Sequence, residues 1–198
     1  MILQSSNQVP GTHEDTSKTT LGFWIYLMTD CVLFAALFAT FVVLRGNTFG
    51  GPSERELYQL PSILIETLVL LTSSFTCGLA VLAARNNNVR QVVSWLVVTF
   101  ILGVAFLTME ISEFSQLAHD GHSWAASASL SAFFTLVGTH GLHISIGLIW
   151  IVVLAWQIIN RGVTGSTLRR LTLFSMFWHF LDIIWIFIFT IVYLIGVL

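Results

Sequence analysis

The chain has 198 residues, 56% of them hydrophobic and only 9% charged, where soluble domains run at about a quarter charged. Eight lysines and arginines against ten acids leave a net charge of −2, which says little about partners because so few charges exist; no nucleic-acid partner is expected. Such a composition excludes an ordinary soluble domain and implies an integral membrane protein. Its first 20 residues are polar and hold no apolar core of a signal peptide. Cys31 and Cys77 both fall inside apolar runs, so no disulfide framework is expected and each is read as a small buried hydrophobe.

In chain order, residues 1–20 form a polar tail broken by Pro10-Gly11. Five apolar segments follow at 21–44, 61–84, 92–114, 128–159 and 171–197, each near or above the roughly 20 residues that a spanning helix needs. The expected fold is an all-α integral membrane bundle of five transmembrane helices over residues 21–198. Its connections carry turn chemistry. Gly50-Gly51-Pro52 and a short charged stretch lie in the first, Asn86-Asn87-Asn88 makes the second, and Asp120-Gly121 marks the third. The fourth, residues 160–170, is basic, with Gly162 and Gly165 ending the long fourth helix. No internal repeat is present, which argues against an inverted-repeat transporter.

Five spans put the N-terminal tail, the second connection and the fourth on one side of the membrane. That side holds six basic residues (Lys18, Arg85, Arg90, Arg161, Arg169 and Arg170), and the other holds two, Arg45 and Arg55. Basic residues favour the cytoplasm, so the N-terminus is expected there and the C-terminus in the periplasm.

Ionisable residues inside apolar spans are the candidates for function, because lipid penalises them heavily. His179 and Asp182 stand three apart on one helix face, as do His140 and His143 on the preceding helix and Glu110 and Glu113 on the third. Asp30 and Glu66 are single acids. Asp30 lies roughly 14 Å from the cytoplasmic end at 1.5 Å per residue. These depths group Asp30, His140, His143, His179 and Asp182 into one buried polar cluster, and Glu66, Glu110 and Glu113 into an outer acidic group. Three uses remain open: hydrogen bonding across helices, a proton or ion route, and a metal or haem site. The different depth of the acids weighs against one metal site collecting all three pairs. Trp24, Trp95 and Trp124 fall near the membrane interfaces. Gly138, Gly141, Ser145 and Gly147 form a small-residue face suited to close helix packing. His13, His119 and His122 are expected in the exposed tail and loop.

Several stretches together resemble a known family. Trp178-His179-Phe180-Leu181-Asp182-Ile183-Ile184-Trp185 is similar to the last-helix signature of subunit III of haem-copper respiratory oxidases. His140-Gly141-Leu142-His143-Ile144 and Met109-Glu110-Ile111-Ser112-Glu113-Phe114 resemble two further signatures, in the right order and spacing. Gly22-Phe23-Trp24-Ile25-Tyr26-Leu27-Met28-Thr29-Asp30-Cys31, with Leu33-Phe34 and the Gly50-Gly51-Pro52 turn, looks most like the cytochrome bo-type ubiquinol oxidase branch. Five spans rather than seven point the same way. At position 30 the family usually carries glutamate, one methylene longer than Asp30.

The resemblance implies a chain with no redox centre and no metal of its own. Haems and copper would sit in subunit I, which oxidises quinol, reduces oxygen and pumps protons. This chain would stabilise that partner, meet subunits II and IV, and bind phospholipid in a bacterial inner membrane. Alternatives are subunit III of a cytochrome c oxidase, a proton-coupled transporter, and a membrane metalloenzyme or b-type cytochrome.

Overall fold

The computed structural model describes residues 11–45, 60–119 and 128–194. Its elements are α1 (Gly11–Leu44), α2 (Leu60–Arg85), α3 (Val89–His119), α4 (Ala128–Arg161) and α5 (Gly165–Ile188), the last running into a π-helical turn at Phe189–Leu194. Among the described residues, five helices are long and apolar enough to cross a membrane, so the protein is an all-helical multi-pass bundle. Helices are what the sequence must form there, since lipid offers the backbone no other hydrogen-bond partner.

Two boundaries differ from the sequence reading. The expected polar tail is helical over its second half, because α1 begins at Gly11 and runs unbroken into the apolar span. The fourth connection is three residues long rather than eleven, counting residues 162–164 between α4 and α5. Gly162, with φ +70°, ends α4, and its amide bonds back to the Ile158 carbonyl at 2.9 Å. Gly165 ends nothing: it opens α5. Thr164 caps that helix, its hydroxyl accepting from the Thr167 amide while its own amide donates to the Thr167 hydroxyl at 2.7 Å.

The second connection is tighter still. Asn87 sits in the left-handed region at φ 55°, and Asn86 and Asn87 donate back to the carbonyls of Ala83 and Ala84. The Asn88 side chain then accepts from the Gln91 amide and opens α3. A turn this short makes α2 and α3 antiparallel neighbours. The Gly50-Gly51-Pro52 turn, Asp120-Gly121, His122 and Trp124 lie outside the described residues.

The helix α5 is the central element. It packs on α1, α2 and α4, while α1 meets the bundle mainly through α4 and α5. Trp178 of α5 shows how closely the helices meet. Its indole lies against Gly103 of α3 and Gly147 of α4, and its Nε1 donates to Ser73 Oγ of α2 at 3.1 Å. One side chain thus joins four helices. The small-residue face of α4 serves this packing, with Gly147 under Trp178 and Gly141 under Glu110. Leu68, Phe75, Val152 and Trp156 face outward and give the bundle an apolar exterior. Cys77 is buried as expected, whereas Cys31 faces outward on α1.

Candidate functional site: polar groups between the helices

The sequence-selected polar residues fall into three settings. In the first, α1 and α4 place Asp30 opposite His143, with Nε2 and Oδ2 3.6 Å apart. That separation is an ion-pair contact rather than a hydrogen bond. His143 Nδ1 lies 2.8 Å from the Thr139 carbonyl. A carbonyl only accepts, so Nδ1 carries a proton. Nε2 is the ring nitrogen that faces Asp30. The Tyr26 hydroxyl also bonds Asp30, extending the pair along α1.

His140 stands one turn from His143 and is fully enclosed. Its ring stacks on Trp185 at 5.3 Å and meets the edges of Phe106 at 6.0 Å and Phe34 at 6.4 Å. Neither ring nitrogen has a hydrogen-bond partner. Aromatic packing alone positions it.

The second setting lies across α5 and α2. His179 Nδ1 is 3.2 Å from Ser74 Oγ, and the same hydroxyl bonds the Asp182 carboxyl. Trp178 bonds Ser73 and Trp185 Nε1 donates to Thr67 Oγ1 at 3.1 Å, so four α5 side chains meet hydroxyls on α2. The expected cluster is therefore divided: Asp30, His140 and His143 belong to the α1–α4 side, while His179 and Asp182 are satisfied by α2. His179 also departs from expectation in exposure, because its ring faces outward while Asp182 is buried. Two groups three residues apart share a helix face, but a face has an inner and an outer edge.

The third setting gathers the acids. Glu66 of α2 and Glu110 of α3 are buried, and both interact electrostatically with each other and with the half-buried Glu113. Tyr193, which the π-helical turn carries inward, donates to Glu113 Oε2 at 3.4 Å. Glu110 packs on α4 where a side chain is missing: a Cβ on Gly141 would stand 2.7 Å from Glu110 Oε1.

The hydroxyl partners Thr67, Ser73, Ser74 and Tyr26 were not among the sequence candidates. Among the described residues, no group of three or more His, Cys, Asp or Glu stands close enough to hold a metal ion. The side chains of His13 and His119 lie outside the described residues.

This architecture defines a multi-pass helical membrane protein in which several buried polar residues, Asp30, Trp178, Asp182 and Trp185 among them, meet partners across the helix seams. The chain belongs to the cytochrome c oxidase subunit III family, whose model matches residues 2–197. It is therefore a subunit III of the haem-copper oxidase type, a component of an oxidoreductase complex. It is 54% identical over 186 residues to a cytochrome bo(3) ubiquinol oxidase subunit 3 of Pseudomonas aeruginosa, covering 94% of this chain and 89% of that protein. A quinol oxidase subunit 3 of Bacillus subtilis is 47% identical over 176 residues, 89% of this chain and 86% of that protein. A cytochrome c oxidase subunit 3 of Bacillus sp. strain PS3 is 45% identical over 176 residues, 89% of this chain and 85% of that protein.

Proposed function

We propose that the chain is the non-redox accessory subunit of a proton-pumping terminal ubiquinol oxidase in a bacterial inner membrane, its N-terminus cytoplasmic and its C-terminus periplasmic. Electrons pass from quinol to oxygen in subunit I, which carries the haems and copper. This chain stabilises that subunit, meets subunits II and IV, and binds phospholipid along its apolar exterior. The observation that carries the reading is the 54% identity, over 94% of the chain, to a ubiquinol oxidase subunit 3. The site geometry supports an accessory role, since Asp30, His179 and Asp182 find partners on a neighbouring helix rather than converging on one reacting centre. Asp30, His140, His143, His179 and Asp182, with Glu66, Glu110 and Glu113, act as interhelical ties.

A mild-detergent pull-down of the tagged chain from native membranes tests this, with an absorption spectrum and oxygen consumption on ubiquinol and on reduced cytochrome c. Co-purifying haem with activity on quinol is the expected result. Activity on cytochrome c alone would establish instead subunit III of a cytochrome c oxidase, the name carried by the 45% identical Bacillus sp. protein but not by the more similar relatives. A lone, colourless chain would overturn both and leave a transporter.

A further inference from the structure

Five buried polar side-chain atoms among the described residues lack a hydrogen-bond partner: both ring nitrogens of His140 and one oxygen each of Asp30, Glu66 and Glu110. His143 accounts electrostatically for the Asp30 oxygen. His140 is the hardest to explain, for its walls are the rings of Phe34, Phe106 and Trp185, and carbon accepts and donates nothing of comparable strength. An imidazole always presents at least one N–H and, when neutral, one lone pair. Buried polar atoms are almost always paired, with protein or with ordered water.

A complementary need is that of Glu110, one of whose carboxyl oxygens also lacks a partner. Phe106 and Glu110 stand one turn apart on α3, and Phe106 meets the His140 ring edge-on at 6.0 Å. On α4 the Glu110 carboxyl rests on Gly141, the residue next to His140. Through Phe106 and Gly141, Glu110 and His140 thus border the same stretch of the α3–α4 seam.

We propose that Glu110 and His140 hold ordered internal water between α3 and α4. Water fits the chemistry of both ends: it donates to the free carboxyl oxygen and can donate to or accept from an imidazole nitrogen. A metal ion fits worse, since among the described residues no three ligating side chains stand close enough to hold one. Gly141 is part of the site, because a Cβ there would press on Glu110 Oε1 and Oε2 at 2.7 and 3.0 Å. The bound water joins two settings that otherwise stand apart. On one side stand Tyr26 and Asp30 of α1 with His143, and on the other Glu110 with Glu66, Glu113 and Tyr193. The inference goes beyond the accessory-subunit reading and is indifferent to which electron donor the complex uses.

The test is a density map of the complex purified from native membranes, sharp enough to resolve ordered internal water, for the natural chain and for Glu110→Gln and Glu110→Leu. The expected result is a peak within about 3.2 Å of both a Glu110 oxygen and a His140 nitrogen. That peak should persist in Glu110→Gln, whose amide still hydrogen-bonds, and disappear in Glu110→Leu. A direct hydrogen bond between ring and carboxyl would overturn the proposal, as would two side chains contacting only carbon. Failure of Glu110→Leu to assemble removes only that arm, because the natural chain and Glu110→Gln decide the question alone.

Discussion

The contact of Trp178 with the α4 backbone makes Gly147→Ala the sharpest test of the packing. An added Cβ would lie 2.7 Å from Trp178 Cζ3, 3.0 Å from Cε3 and 3.4 Å from Phe177 Cε1. Carbon atoms settle near 3.5–4.0 Å, so the indole would have to retreat by about 0.8 Å. It has no easy direction. Its far edge already abuts Gly103, where a Cβ would stand 3.1 Å from Cη2, and its Nε1 is tied to Ser73 at 3.1 Å. Overpacking of this kind costs about 1–3 kcal/mol, and at about 2 kcal/mol the folded-to-unfolded ratio falls roughly 30-fold. Gly78→Ala is the control, since a Cβ there meets nothing within 4 Å and alanine is the better helix former by up to about 1 kcal/mol. Equilibrium unfolding of the purified chain in mixed micelles should rank Gly147→Ala below the natural chain and Gly78→Ala at or above it. Trp178→Phe should partly relieve the first substitution, so the double variant loses less than the sum of the singles. If the two alanine variants are equally stable, Trp178 is not clamped as described.

Four further outcomes are expected. Thr164→Ala removes the side chain that caps α5 and should cost about 1 kcal/mol, read as earlier thermal unfolding and faster amide exchange at Thr167. Gly162→Ala forces a Cβ into φ +70° and should cost about 1 kcal/mol although the space is open, with Gly162→Asn milder; a harmless alanine would mean the turn relaxes. Trp185→Phe loses the 3.1 Å bond to Thr67 but keeps most of the packing, so it should cost about 0.6 kcal/mol in a micelle, far less than the roughly 3–5 kcal/mol of Trp185→Ala. Asp30→Ala should destabilise the chain more than Asp30→Asn, because the amide still meets His143 and Tyr26; equal losses would remove the pair as the cause.

What the sequence made legible was whatever hydrophobicity and helix periodicity encode. Five spans emerged because lipid admits few alternatives, and the motif residues fell on helices. The α4–α5 connection was misread for a chemical reason. Gly162 and Gly165 look alike in sequence, yet Thr164 between them starts a helix, and its reciprocal partner Thr167 is not the glutamate or glutamine that usually marks a capping box. The polar start of α1 escaped notice because helix continues there without apolar residues to announce it. The division of the expected cluster has a geometric cause. Depth follows from counting residues, but rotation about each axis and the identity of the neighbouring helix do not. His179 and Asp182 could have faced Asp30 at the same depth, and α2 stands beside them instead, offering Ser74. A serine in an apolar helix gives little warning of that role.

The position of α1 explains why a carboxyl can persist in it. In lipid there is no hydrophobic drive to bring helices together, so a peripheral helix stays by close contact and polar ties. Phe34 and Phe41 supply the first and are fully buried against the bundle. Asp30 alone would be a burden, since an acid at the centre of a spanning helix costs about 2.5–3.5 kcal/mol on insertion. Facing His143 across the α1–α4 seam, and bonded by Tyr26 one turn back, it offsets that cost only while the helix is docked. An undocked α1 would expose the same acid to lipid. The residue that looks least suited to a membrane therefore makes detachment of α1 unfavourable, and it fixes the helix's rotation at the same time, because a carboxyl turned away from His143 gains nothing.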